Sequence, residues 1–162
     1  MLRLLKFIGR SVGYTVLTAL IALVLVQFWF FLHIWYWVDH NPSSTAFMDA
    51  RLERLREKAP HFELQYRWVA YARISGNLKR AIVVAEDAKF IDHEGFDWEG
   101  IQRAIEKNQK KGKPVAGGST ISQQLAKNLF LSGERSYLRK GQEALITAML
   151  EASMDKRRIL EI

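Results

Sequence analysis

The stretch P-V-A-G-G-S-T-I-S-Q-Q-L-A-K-N-L-F-L, residues 114–131, decides how the rest of the chain is read. After two adjacent glycines the apolar residues Ile121, Leu125, Ala126 and Leu129 fall at helical spacing. Thr120, Gln123, Gln124 and Lys127 collect on another face, at offsets of three, four and seven. Thr120 followed by Gln123 is a capping-box pattern and predicts a helix start. Gly117 and Gly118 permit positive φ and close backbone approach, so free N–H groups of the first turn are expected to face a ligand. With Lys127 adding a fixed positive charge, such a unit suits a phosphate or pyrophosphate. It is not a Walker loop, because the G-x-x-x-x-G-K-[ST] spacing is missing.

Upstream, a helix is predicted to start at Asn77 as cap and to carry Leu78, Ile82 and Ala85 toward the acidic pair Glu86-Asp87. Glu86 stands where the apolar face ends, so partial burial is expected to tune it as a general base. Asp87 cannot share that direction, since neighbours on a helix diverge by about 100°, and reads as a supporting or capping acid. Phe90, His93, Gly95, Phe96 and Asp97 follow in a turn, and a second helix covers residues 98–110. His93 reads as a structural hydrogen-bonding histidine, since the other three histidines are membrane-proximal.

Downstream of Gly133 come Glu134, Arg135 and Ser136, then a long helix over residues 136–154. Leu138, Leu145, Ala148, Met149 and Ala152 form its expected buried stripe, with Arg139, Lys140, Glu143 and Thr147 on another face. Glu143, one turn beyond Arg139, reads either as half of a surface ion pair or as a second carboxylate held among cations. Residues 156–162 begin another amphipathic helix.

At the N-terminus, Arg3, Lys6 and Arg10 precede an uncharged run over residues 11–38. A bilayer core needs roughly 20 apolar residues, so the run is long enough to span. Its distal end carries Phe28, Trp29, Phe30, Phe31, Trp35, Tyr36 and Trp37, the pattern of an aromatic belt at a membrane interface. Basic residues before the span and Asp39 after it place the N-terminus in the cytoplasm and the rest outside. A cleaved signal is the competing reading, but the run far exceeds the usual apolar core of about 7–15 residues. Residues 47–58 form a short charge-rich helix, and the aromatic stretch over residues 61–74 reads as a strand or an irregular membrane-proximal segment.

The 162 residues allow one modest domain plus an appendage. The formal charge of +7 points to an acidic partner such as anionic lipid or a phosphorylated substrate. The outward topology separates the basic domain from nucleic acid. No cysteine is present, which excludes disulfides, thiolate catalysis and cysteine-based zinc sites.

Three ordered motifs carry a resemblance. Glu86-Asp87-x-x-Phe90-x-x-His93-x-Gly95, then Gly117-Gly118-Ser119-Thr120-Ile121-x-Gln123-Gln124-x-x-Lys127-Asn128, then Arg139-Lys140-x-x-Glu143 resemble the first three signatures of family 51 glycosyltransferases, the peptidoglycan transglycosylases. The short single-pass anchor is more similar to monofunctional members than to bifunctional penicillin-binding proteins. The resemblance implies an all-α chain: a single transmembrane helix followed by a lysozyme-like, mainly helical domain, with a small irregular or β-containing element near residues 66–75. The implied organisation is a cytoplasmic basic segment (1–10), a transmembrane anchor (11–38), a linker and membrane-proximal segment (39–65), and the N-terminal part of the transglycosylase domain (66–162). The family's domain normally continues further, so a C-terminally truncated domain is expected.

By that resemblance the substrates are lipid II and the growing glycan chain, at the bacterial inner membrane with the catalytic domain on its outer side. Glu86 takes the proton from the acceptor hydroxyl, and Glu143 is the second catalytic carboxylate, orienting cations or a divalent ion. The implied substrate-binding set is Asp87, Phe90 and His93 around Glu86, then Gly118, Ser119, Thr120, Gln123, Gln124, Lys127 and Asn128. Arg135, Arg139 and Lys140 complete it, with Lys127, Arg139 and Lys140 neutralising the leaving diphosphate. Mg2+ or Mn2+ on that diphosphate is left open, with no organic cofactor. Membrane lipids and proteins of wall synthesis and division are the expected partners. A lysozyme-like enzyme that cleaves peptidoglycan with the same carboxylates, and a non-catalytic membrane scaffold, stay as alternatives.

Overall fold

A computed structural model describes residues 2–131, 133 and 136–162, with side chains from residue 7 onward except Ile8. Among the described residues seven helices follow in order: α1 (Leu2–Asp39), α2 (Ala46–Arg56), α3 (Gly76–Glu86), α4 (Trp98–Lys111), α5 (Ile121–Phe130), α6 (Tyr137–Ser153) and α7 (Lys156–Glu161). Among the described residues there is no strand, and the chain is all-α. The β-containing element expected near residues 66–75 is instead extended backbone ending in a 3-10 turn, Tyr71–Arg73. Side chains hold this segment down: Tyr66 donates to the Pro42 carbonyl, and the Tyr71 N–H to Glu161.

Helix α1 contains one stretch, Gly9–Asp39, long and apolar enough to cross a membrane. At 1.5 Å per residue, α1 is about 57 Å long, well over the roughly 30 Å of a hydrocarbon core. Its distal part serves the domain. Phe30 and Ile34 are buried in the core, while Trp37 and Val38 pack against it. Gln27 and Gln142 exchange hydrogen bonds across the α1–α6 contact. Arg158 of α7 donates to the carbonyls of Trp37 and His40 at the end of α1. The aromatic belt is therefore divided: Phe28, Trp29, Phe31, Trp35 and Tyr36 are exposed, whereas Phe30 and Trp37 face the protein.

The core runs from α1 through α5 to α6 and α7, joining Phe30 and Ile34 to Phe90, Ile121, Ala126, Leu129, Ile146, Leu150, Met154 and Ile159. Helix α5 lies at its centre, packed against α2, α6 and α7. Caps set most helix starts, with Thr45, Asp97, Thr120, Ser136 and Asp155 each accepting from a first-turn N–H. The capping box of Thr120 and Gln123 forms as expected. Helix α3 differs, because it starts at Gly76 after Ser75 and Asn77 lies inside it.

Helix α6 contradicts its predicted stripe. Leu138 is 89% and Leu145 49% exposed, and Ala148 and Ala152 also face outward. The buried face holds Glu143, Ile146, Thr147 and Leu150. Four of the five predicted residues thus face solvent and Met149 alone packs against the core, because the face with Glu143 and Thr147 is turned inward.

Candidate active site

Glu86 is the last residue of α3, and Gln124 of α5 donates to its Oε2 at 2.8 Å. The carboxylate is exposed, not part-buried as the sequence led us to expect. Its second oxygen is left open toward a recess of about 260 Å3, whose wall includes Lys89, Asp97, Arg103 and residues 117–120. Sequence reasoning passes over Lys89 and Arg103 and places Asp97 only in a turn. The available signal was the Asp97–Gly100 cap, which brings the start of α4 beside the glycine loop.

Asp87 turns the other way, because the chain leaves the helix there and its backbone is extended at φ -161°. It is buried, and accepts from the Ile121 N–H at 3.1 Å and from His93 Nε2 at 3.0 Å. That contact corrects the reading of the α5 N-terminus. The first-turn amides do not face a ligand, because a carboxylate of the chain itself already occupies the place expected for an anion. Thr120 and Gln123 are likewise committed. The Thr120 N–H donates to the Gln123 amide oxygen, the Gln123 N–H to Thr120 Oγ1, and Thr120 Oγ1 to the Gly95 carbonyl. Their buried polar atoms stabilise the loop, and of the two only Thr120 also contributes to the wall of the recess. Of Asp87, Phe90 and His93, Asp87 contributes to the wall of the recess, whereas Phe90 is fully buried and His93 nearly so.

The glycines act through packing. Positive φ occurs among the described residues at Gly95 and Gly112, not at Gly117 or Gly118. A Cβ on Gly118 would lie 3.0 Å from the Ile101 Cα, so the close approach expected there is to α4. Gly95, at φ 85°, would place a Cβ 2.9 Å from a methyl of Thr147.

Glu143 is no surface ion pair. It is buried, with Arg139 donating to Oε2 at 2.9 Å and Lys140 bonded to Oε1. Lys140 also stands 3.5 Å from Ser119 Oγ, which carries its charge to the edge of the Glu86 recess. With both oxygens taken, Glu143 does not fit a divalent metal, and among the described residues no group of three His, Asp or Glu stands ready for one. Its carboxylate is held between Arg139 and Lys140 and fixes the place of both cations. Arg135 lies outside the described residues. Lys127 and Asn128 line a separate cleft against α2 and do not enter the recess.

A cluster that the motifs left blank completes the support. Ser122 bonds to Glu151, Lys156 bonds to both Glu151 oxygens at 2.8 Å, and the same ammonium lies over the Phe90 ring. It fastens the loop that follows Glu86 to α5, α6 and α7.

An exposed acid thus stands beside a cation-edged recess, on a helical domain packed against a helix long enough to cross a membrane. Residues 53–162 match the family described as Transglycosylase, and the chain belongs to that family. It is 64% identical over 160 residues to a biosynthetic peptidoglycan transglycosylase of Laribacter hongkongensis, covering 98% of this chain and 68% of that protein. It is 58% identical over 158 residues to one of Azoarcus sp., again covering 98% and 68%. With one of Aromatoleum aromaticum it shares 60% identity over 153 residues, covering 94% and 66%. The chain thus spans about two thirds of the length of these relatives.

Proposed function

We propose that the protein is a peptidoglycan glycosyltransferase that polymerises lipid II into glycan strands and releases the polyprenyl diphosphate. The observation that carries this reading is the pairing of an exposed, amide-oriented Glu86 with a recess edged by the Ser119–Lys140 contact. In the reaction, Glu86 accepts the proton of the acceptor sugar's 4-hydroxyl. That oxygen forms the new bond to the donor's anomeric carbon from the face opposite the leaving group. The bond from that carbon to the diphosphate breaks, and Lys140, with Arg139 behind it, offsets the charge that develops. A diphosphate leaves readily, so no second acid is required. The cleaving alternative, which needs two carboxylates flanking a bond, has less support, since Glu143 is buried in its ion cluster.

We also infer an N-terminus on the cytoplasmic side and a domain on the outer side of the inner membrane, from Arg3, Lys6 and Arg10 ahead of the span. Tethering there turns the search for a lipid-linked donor into a two-dimensional one. The test is incubation of the membrane-reconstituted protein with labelled lipid II. Long strands are expected from a full-length version, whereas the 162-residue chain alone is expected to be impaired, and Glu86→Gln in the full-length version should lose at least about a hundredfold in rate. Undiminished polymer from Glu86→Gln would remove the base assignment.

A further inference from the structure

Helix α3 ends in Glu86 but does little to hold it. It buries none of its eleven residues, with Val83 packed at the edge of the core. The direction of Glu86 is therefore fixed by the Gln124 amide on one side and by the loop over residues 87–97 on the other.

That loop is fastened at both ends. At its start the Asp87 carboxylate accepts from the Ile121 N–H, and Phe90 is fully buried. Near its end the Gly95 carbonyl accepts from Thr120 Oγ1, and Asp97 caps α4. The middle is held from another helix: Lys156, the first residue of α7, donates to the His93 carbonyl. No other group among the described residues donates to that carbonyl. His93 in turn bonds through Nε2 to Asp87, the residue after Glu86.

The same ammonium lies 4.7 Å from the centre of the Phe90 ring. It also bonds to both oxygens of Glu151, which accepts from Ser122 Oγ. Ser122 and Gln124 are two residues apart on α5. The contacts thus close a circuit that leaves Glu86 through Asp87 and His93, turns at Lys156 and returns through α5. Lys156 is where the circuit can be opened without touching Glu86 or a residue that lines its recess. Its side chain is 23% exposed and that of Glu151 9%, so a bond donated there is stronger than one in water.

We propose that Lys156 is a positioning residue for Glu86. Its ammonium holds the His93 carbonyl, and through the His93–Asp87 bond it sets where the Glu86 carboxylate stands against the acceptor hydroxyl. The proposal rests on the glycosyl-transfer reading above and adds α7 to the machinery of that reaction. If Lys156 served only to neutralise Glu151, removing both charges together would restore whatever the loss of one had cost.

The test is steady-state polymerisation of lipid II by the full-length version, with the thermal midpoint recorded for each variant. Reacting groups displaced by about 1 Å lose on the order of a hundredfold in rate, so K156M should lose at least about tenfold in kcat. KM should stay within about twofold, because no contact to substrate is removed. K156R keeps both a donor and a charge and should recover most of the rate. The deciding variant is K156M/E151Q. It leaves no unpaired charge in the core, and the Ser122 hydroxyl keeps an amide oxygen to donate to, so the midpoint should return toward the native value. The His93 carbonyl still lacks its donor, so kcat should stay low. Should K156M fail to fold, the double variant decides by itself. Recovery of kcat together with the midpoint overturns the proposal and makes Lys156 a counter-charge for Glu151 alone. A native kcat in K156M, a loss confined to KM, or a K156R chain no faster than K156M overturns it too. In each of those cases polymer is still made and the proposed reaction stands. A native full-length version that makes no polymer sinks the reaction and the positioning role together.

Discussion

Helices α5 and α6 lie against each other, yet they bury opposite kinds of surface. Helix α5 turns Ile121, Ala126 and Leu129 inward and satisfies its buried polar residues locally, Gln123 through the capping box and Ser122 through Glu151. Helix α6 turns Glu143 and Thr147 inward beside Ile146 and Leu150, and leaves Leu138 and Leu145 outside. The difference teaches what each helix is for. Helix α5 is the apolar centre of the domain, while α6 is rotated so that one acid can hold two cations at the edge of the recess. A buried carboxylate is tolerated there because Arg139 and Lys140 compensate both oxygens.

That contrast can be broken at three places. The largest effect is expected from Glu143→Ala, which leaves the part-buried Arg139 without its counter-charge; about 3–4 kcal/mol of stability should go. Urea unfolding in micelles measures it, and a loss under about 1 kcal/mol would mean that the ion cluster does not organise α6. Next, Leu129→Ala on α5 should cost about 3 kcal/mol, whereas Leu145→Ala on α6, in this chain, should stay within about 0.5 kcal/mol. Similar losses from the two leucines would contradict the rotation of α6.

The smallest effect concerns α7, which closes the same core. Burial opposes the Glu161 charge, but the Tyr71 N–H and the Arg158 guanidinium outweigh it and hold the carboxyl below its ordinary value. The charged form is thus favoured by folding. Its contribution is complete above the ordinary carboxylate range and fades as pH falls through the lowered folded value. Thermal midpoints of Glu161→Gln, followed downward from neutral pH, should show a shallower acid decline than the native chain. Parallel curves would deny Glu161 that role.

Local patterns carried much of this fold. The capping box at Thr120, the apolar stripe of α5, the bounds of α4 and the inward turn of Asp87 all follow from spacing and cap chemistry within a few residues. The rotation of α6 does not, because its apolar and ionic faces are both consistent with a helix and only the neighbour decides which is covered. The same holds for α1, where Phe30 and Phe31 are adjacent in a uniformly apolar run but only Phe30 meets Phe130. The Ser122–Glu151–Lys156 cluster joins three separate helices, so no window of sequence contains it.

What the sequence determined by itself was the set of helices, the apolar anchor and the identity of the groups able to do chemistry, since these rest on period, capping and side-chain type. The tertiary structure alone decided which of those groups face outward. It exposed Glu86, buried Glu143 under its cations, filled the α5 N-terminus with Asp87 and set Lys127 opposite α2. Each of those outcomes depends on which partner a side chain meets across the core, and that is a property of packing between distant segments.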